Sequence, residues 1–246
     1  MQFDGKRVVI TGGSSGIGLA MARAFAAEGA DVTITGRTES RLNEAASSHP
    51  SISGVVCDVA NDGQVVALLD AVDSQGGVDI LINNAGVMLA FDVTKGLALE
   101  SQLHEIAIDA AGPVRLVHHF LPHMLTRPSV LVNVSSGLAY VPYAAAPVYS
   151  ASKAFLHSYT QSLRAQLAGT SVRVVELLPP VVDTPMATQL DASFKKMPPD
   201  KLISAFLKDL KRGKDEIVPG QSALLKWLSR FAPPVIFGQL NKNPRG

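Results

Sequence analysis

A single cysteine among 246 residues, Cys57, rules out an intrachain disulfide, so packing and not cross-linking must hold this chain together. Beside an apolar Val pair in a segment that reads as strand, the thiol is read as a small buried hydrophobe and not as a nucleophile. Long apolar runs are missing too: none approaches the ~18 residues of a membrane span. Charged residues are sparse, 17% with a net of +1, which leaves no global attraction for nucleic acid. No signal-peptide pattern opens the chain, because KRVVITGG begins an ordinary strand, and a soluble, cytoplasmic setting is the expectation. Linkers, low-complexity tracts and internal repeats are absent as well, so 47% hydrophobic content is expected to build one domain around one core.

What is present is an alternation. The β-rich segments RVVIT, DVTITG and SGVVCDV are followed by helical patterns over residues 18–29, 39–48 and 62–74. VDILINNAG then leads into a long helical stretch over 97–125, SVLVNVSS into a helix opened by Tyr149, and VRVVELLPP closes the series. Val and Ile occupy both alternating positions of these strands, as a doubly buried sheet requires. The expected class is α/β, a doubly wound parallel sheet with helices on both faces.

Two stretches carry chemistry. TGGSSGIG, from Thr11 to Gly18, follows the first strand and opens the first helix. Its glycines allow a tight turn and close backbone approach, and the helix start aims free N–H groups at a phosphate. A bare turn is the alternative, but the strand before and helix after are what dinucleotide binding demands. YSASK sets Tyr149 and Lys153 at i and i+4, on one helical face. A positive charge near a phenol favours the phenolate, although a ring on apolar neighbours with a snorkelling amine would read the same way.

The form T-G-x-x-x-G-x-G resembles the short-chain dehydrogenase/reductase family, and other motifs of that family follow in order: Asp58 in CDV, NNAG at 83–86, Ser135-Ser136, and YSASK with Ser136 thirteen positions before Tyr149. The resemblance covers roughly the first three quarters of the chain. It implies a Rossmann-type fold with a dinucleotide-binding catalytic core over 1–189 and a lid or tail segment of the same domain over 190–246. It also implies hydride exchange with a small-molecule alcohol or carbonyl substrate, with Tyr149 as general acid/base, Lys153 lowering its pKa and binding the nicotinamide ribose, and Ser136 holding the substrate oxygen. By the same resemblance the cofactor is held by Gly12, Ser14, Ser15, Gly16, Ile17 and Gly18, by Asp58 and Val59 at the adenine, by Asn84, Ala85 and Gly86 at the ribose, and by Val182 and Thr184 near the nicotinamide. A homo-dimer or homo-tetramer is implied as well. A dinucleotide-binding regulatory protein without turnover is the alternative.

Where an NAD site places an acid at the end of the second strand, this chain has Gly36 followed by Arg37, so NADP(H) is expected in preference to NAD(H). A surface arginine is the competing reading of Arg37. Two positions depart from the family pattern. N-x-x-G is here Asp109-Ala-Ala-Gly112, and an ionised Asp109 beside Lys153 should hold the ammonium and shift the active pH upward. Pro179-Pro180 replaces Pro-Gly, which with the basic tail resembles the DltE-like oxidoreductases. From Leu190 onward there are 11 Lys+Arg against 5 Asp+Glu, and Leu224, Leu225, Leu228 and Phe231 are read as one apolar helical side that packs on the domain or a sister subunit, an anionic membrane surface being the second reading. His119 and His123 share metal spacing but lack a third ligand, and no metal site is expected. Met88, Leu89, Leu138 and Tyr143 are candidates for an apolar substrate pocket.

Overall fold

The computed structural model describes residues 2–96, 98–190 and 194–242; Leu97, where the sequence pattern starts its long helix, and the last four residues of the predicted tail lie outside them. Seven strands form one parallel sheet in the order β3-β2-β1-β4-β5-β6-β7. These are β1 (Arg7–Ile10), β2 (Asp31–Gly36), β3 (Ile52–Val56), β4 (Ile80–Asn83), β5 (Ser129–Val134), β6 (Val172–Leu177) and the short β7 (Glu216–Ile217). The chain starts at the centre, walks outward through β2 to β3, then crosses back to pair β4 against β1, with Val9 opposite Leu81. That reversal opens a crevice at the carboxyl ends of β1 and β4, where ligands of such sheets bind.

Alternation along each strand divides the core. Ile10, Ile34, Ile82 and Val132 meet Met21, Phe25 and Phe206 on one face, under α1 (Gly16–Ala27), α2 (Glu39–Ala46) and α7 (Pro199–Lys211). On the other face Val9, Leu81 and Leu131 meet Leu68, Leu116 and Phe120, from α3 (Asp62–Ser74) and α5 (Gly112–Met124). Each fully buried side chain of this size contributes about 1.5–3 kcal/mol, which is why both strand faces must be apolar.

Three differences from the sequence pattern bear on function. The long helical stretch is broken: α4 (Leu99–Ile106) passes through a π turn, Ala107–Ala111, before α5 begins. Gly112, just after the break, lets α5 pack closely on Val59, since a Cβ there would meet Val59 Cγ2 at 2.9 Å. The helix carrying Tyr149, α6 (Pro147–Gln166), opens two residues earlier than predicted, with Pro147 in its first turn, where the missing N–H costs nothing. The third strand ends at Val56, so Cys57 and Asp58 stand on the loop beyond it.

After α7 the chain adds β7, then α8 (Gln221–Phe231) and α9 (Pro233–Leu240), which fold back over the carboxyl ends of β5 and β6. Asn241 ties this segment down, its Oδ1 accepting from the Ala144 N–H at 2.6 Å and its Nδ2 donating to the Pro142 carbonyl at 3.0 Å. The apolar side of α8 meets the domain only in part: Leu225 and Leu228 are half-buried, whereas Leu224, Trp227 and Phe231 are exposed. No helix among the described residues is long and apolar enough to cross a membrane.

Candidate active site

The loop after β1 is latched to the turn after β4. Thr11 Oγ accepts from the Asn84 and Ala85 N–H groups, both at 3.0 Å, while Asn84 Nδ2 donates to the Thr11 carbonyl at 2.9 Å. Gly12 sits at φ +66° with its Cα face against Ala85, and a Cβ on Gly18 would lie 2.3 Å from the Gly12 carbonyl oxygen. Only glycines allow the loop to lie this flat. The amino end of α1 is left free: Ser15 makes no side-chain cap, and no acid occupies the first turn. Its N–H groups and dipole therefore face a cleft of about 270 Å³ that can take an anion.

Gly12, Ser14, Ser15, Gly16 and Ile17 line that cleft, as do Arg37, Asp58, Val59, Asn84, Ala85, Gly86, Tyr149, Lys153 and Thr184. Gly18 is buried beneath the loop, and Val182 lies on a second cavity. Thr38 and Arg41 also line the cleft and were missed; Arg41 stands in the first turn of α2, just after the loop that carries Arg37. Cys57 lines it too, but burial and then Asp58 push its thiol up to about 11, so it is protonated at neutral pH and inert.

At the inner end, Lys153 Nζ lies 5.3 Å from the centre of the Tyr149 ring, 3.3 Å from Asp109 Oδ2, and 3.3 Å from the Val134 carbonyl to which it donates. Asp109, in the π turn, lines neither cavity; it is buried behind the lysine, its Oδ1 accepting from the Val87 N–H at 2.8 Å. Gly86 leaves room for the pair, since a Cβ there would press on both at 3.2–3.3 Å. Ser136, in the turn after β5, accepts from the Leu138 N–H at 3.1 Å, and its hydroxyl offsets a small part of the effect of burial on Tyr149.

A second cavity, about 370 Å³, meets the cleft at Tyr149. Ile17, Pro179, Thr184 and Met186 are shared by both, and Ser136 opens onto the second. Of the predicted pocket residues, Met88 and Leu138 line it, while Leu89 and Tyr143 do not; the Tyr143 ring packs edge-on against Phe194 instead.

This arrangement has a known counterpart: residues 6–194 match the family model described as short chain dehydrogenase. The chain belongs to the short-chain dehydrogenase family. The oxidoreductase DltE of Bacillus subtilis (strain 168) is 38% identical over 98% of both chains. A Burkholderia cenocepacia J2315 short chain dehydrogenase solved in complex with NADP superposes with a TM-score of 0.86 at 26% identity, covering 98% of this chain and 99% of that one. A Burkholderia phymatum short chain dehydrogenase/reductase solved with NAD gives 0.85 at 25%, covering 100% and 98%.

Within this short-chain dehydrogenase, burial raises the Tyr149 pKa, and Lys153 opposes it without reversing it. The net direction is thus upward, not the lowering that spacing suggested, because the hydroxyl is nearly enclosed. Burial also lifts Asp109, against the pull of Lys153, while burial depresses Lys153 and Asp109, Tyr149 and Glu105 together more than restore it. The proton stays on the amine, since the Val134 carbonyl accepts from it and the Val87 N–H donates to the carboxylate. Glu105, one turn before Asp109, was not foreseen: burial, with Asp109 adding to it, lifts it to about 7 against the Leu89 N–H (3.1 Å to Oε1) and the Lys153 charge. The dehydrogenase therefore carries a carboxyl that changes charge near neutrality beside its lysine.

His119 and His123 are separated by their partners, each bonded to a different aspartate of α3, Asp62 at 2.9 Å and Asp73 at 2.8 Å. His157, Glu176 and Glu216 do converge, but Glu176 accepts from Ser135 Oγ and Glu216 from Tyr140 and the Lys226 ammonium. Lys226 belongs to α8, so these contacts fasten the tail to the turn that carries Ser136.

Proposed function

We propose that this dehydrogenase uses NADP(H) to interconvert an alcohol and a carbonyl compound, with Tyr149 carrying the proton. The observation behind this reading is the meeting of the polar cleft and the apolar cavity at one buried phenol, with Ser136 at its hydroxyl and Lys153 behind its ring. The nicotinamide, when bound, supplies or accepts the hydride. In reduction Tyr149 donates its proton to the carbonyl oxygen, and in oxidation it takes the proton from the hydroxyl. Ser136 Oγ donates a hydrogen bond to that oxygen, and Lys153 stabilises the phenolate left behind. Asp109 holds the ammonium in place. Residues 1–189 act as the dinucleotide-binding core and 190–246 as the segment closing the substrate side. The setting is cytoplasmic and the assembly homo-oligomeric, a reading supported by exposed Leu99, Leu103 and Ile106 on α4 and Phe155 on α6.

The preference for NADP(H) rests on the end of β2. Gly36 offers no ribose-binding carboxylate, and a side chain there would begin in tight contact, 3.2 Å, with Ser14 Oγ, while Arg37 and Arg41 supply cations at the cleft wall. Arg37 Nη1 now lies 3.1 Å from His104 Nε2, an exposed contact that a phosphate would outcompete. A screen of carbonyl and alcohol compounds, following nicotinamide absorbance with both cofactors, tests the reading. The wild type should favour NADPH, and Arg37→Ala/Arg41→Ala should lower kcat/KM for NADPH by about 10- to 100-fold while leaving NADH within about twofold. Equal losses with both cofactors would remove the arginines from recognition of the 2′-phosphate. Saturable dinucleotide binding with no turnover on any compound would mark a binding protein instead.

A further inference from the structure

We infer that the substrate is a hydrocarbon-rich ketone or secondary alcohol, held at its reacting oxygen by Tyr149 and Ser136 and elsewhere by apolar contact alone. The inference rests on the reading of Tyr149 as proton carrier and adds the substrate class.

The cavity beyond Tyr149 has the volume of a site for a drug-sized ligand and is walled by residues such as Met88, Val182, Met186, Leu225, Ile236 and Leu240. Among its described lining residues the only ionic side chain is Lys195, and that one is exposed at the rim. Gln221 and Gln239 are exposed as well, so the polar side chains of the wall sit at its mouth, apart from Ser136 and Tyr149 at the reacting end and Thr184, whose hydroxyl donates to the Val182 carbonyl. Pro179 and Pro180 contribute no backbone N–H to this wall. A substrate carboxylate or ammonium next to the reacting carbon would thus lose its water with no counter-ion to replace it, whereas each methylene leaves water for a hydrocarbon surface.

The wall is built, not incidental. A Cβ on Gly137, next to Ser136, would lie 2.6 Å from Ser222 Oγ and 3.2 Å from Leu225, so α8 rests directly on the turn that carries the serine. Asn241 and the Lys226–Glu216 pair hold α9 and α8 from either side. The tail therefore encloses the space and supplies its apolar lining.

The test is a series of straight-chain 2-alkanones, butanone to 2-decanone, reduced with NADPH and with NADH, beside L-serine and glycerol offered with the oxidised cofactors. kcat/KM should rise by about fourfold per added methylene until the cavity is filled, and the two hydrophilic alcohols should fall at least about 100-fold below the best ketone. Ile236→Glu should cost the long ketones about 100-fold and butanone less than about threefold; Leu225→Ala, milder for folding, should flatten the slope. Calorimetric binding of the same ketones to Tyr149→Phe protein loaded with NADP+ reads the cavity without turnover. Turnover that is flat along the series, or faster on serine or glycerol, overturns the substrate class and leaves the oxidoreductase reading standing. Binding that tightens along the series without turnover by the wild type supports the apolar site and removes the oxidoreductase reading. Neither binding nor turnover overturns both.

Discussion

Tyr149→Phe should lower kcat by about 100- to 10,000-fold, the usual worth of a general acid or base, while dinucleotide affinity stays within about twofold. Phenylalanine fills the same buried space and removes only the hydroxyl, so the ring remains beneath Lys153 and the cleft wall is unchanged. What disappears is the proton that has to accompany the hydride. Because the phenol is held above its ordinary pKa by burial, the unliganded protein presents it as an acid at neutral pH, which suits carbonyl reduction first. Stopped-flow measurement of cofactor binding alongside steady-state rates separates the two effects. A variant that loses binding and rate in equal measure would show that the hydroxyl holds the cofactor and does no proton transfer.

Lys153→Met should cost about 3–5 kcal/mol of stability as well as activity, because it leaves Asp109 as a buried carboxylate without its counter-charge. Burial already holds the Asp109 carboxyl above its ordinary range, and removing the opposing ammonium lifts it further. A carboxyl whose folded pKa exceeds its unfolded one favours folding while protonated, and that contribution is lost as pH rises through the folded value. The deficit of the variant should therefore be smaller at pH 5 than at pH 8. Adding Asp109→Asn should restore most of the stability, since an amide oxygen still accepts from the Val87 N–H, yet leave activity low. Urea denaturation at both pH values checks this; a deficit independent of pH, or one the second change does not relieve, would mean that the pair is not ionic.

The features legible in the sequence were those set by neighbours along the chain. Glycine spacing after a Val-rich strand identifies the loop from Thr11 to Gly18, and helical period alone puts Tyr149 and Lys153 on one face. The parallel sheet was legible because Val, Ile and Leu fill both faces of the central strands β1, β4, β5 and β6. The π turn at Asp109 was not, for a single extra residue in a helical turn leaves no mark on the apolar period of the long stretch. Nor was the net rise of the Tyr149 pKa, which reflects enclosure by distant elements while spacing reveals only the lysine. The short β7 and the final α9 carry too few residues for a period to emerge, and Arg41 looks like any exposed helix arginine until the cleft is in view. Leu224 and Phe231 share a side with Leu228 in sequence, but only the folded tail determines which of them meets the domain.

A structure determined with NADP+ bound tests the central claim most directly. The account predicts the pyrophosphate against the amino end of α1, the 2′-phosphate at Arg37 and Arg41, Lys153 at the nicotinamide ribose, and C4 of the ring facing the Tyr149 hydroxyl across the mouth of the apolar cavity. A nicotinamide turned away from that hydroxyl, or a dinucleotide lodged elsewhere, would contradict it.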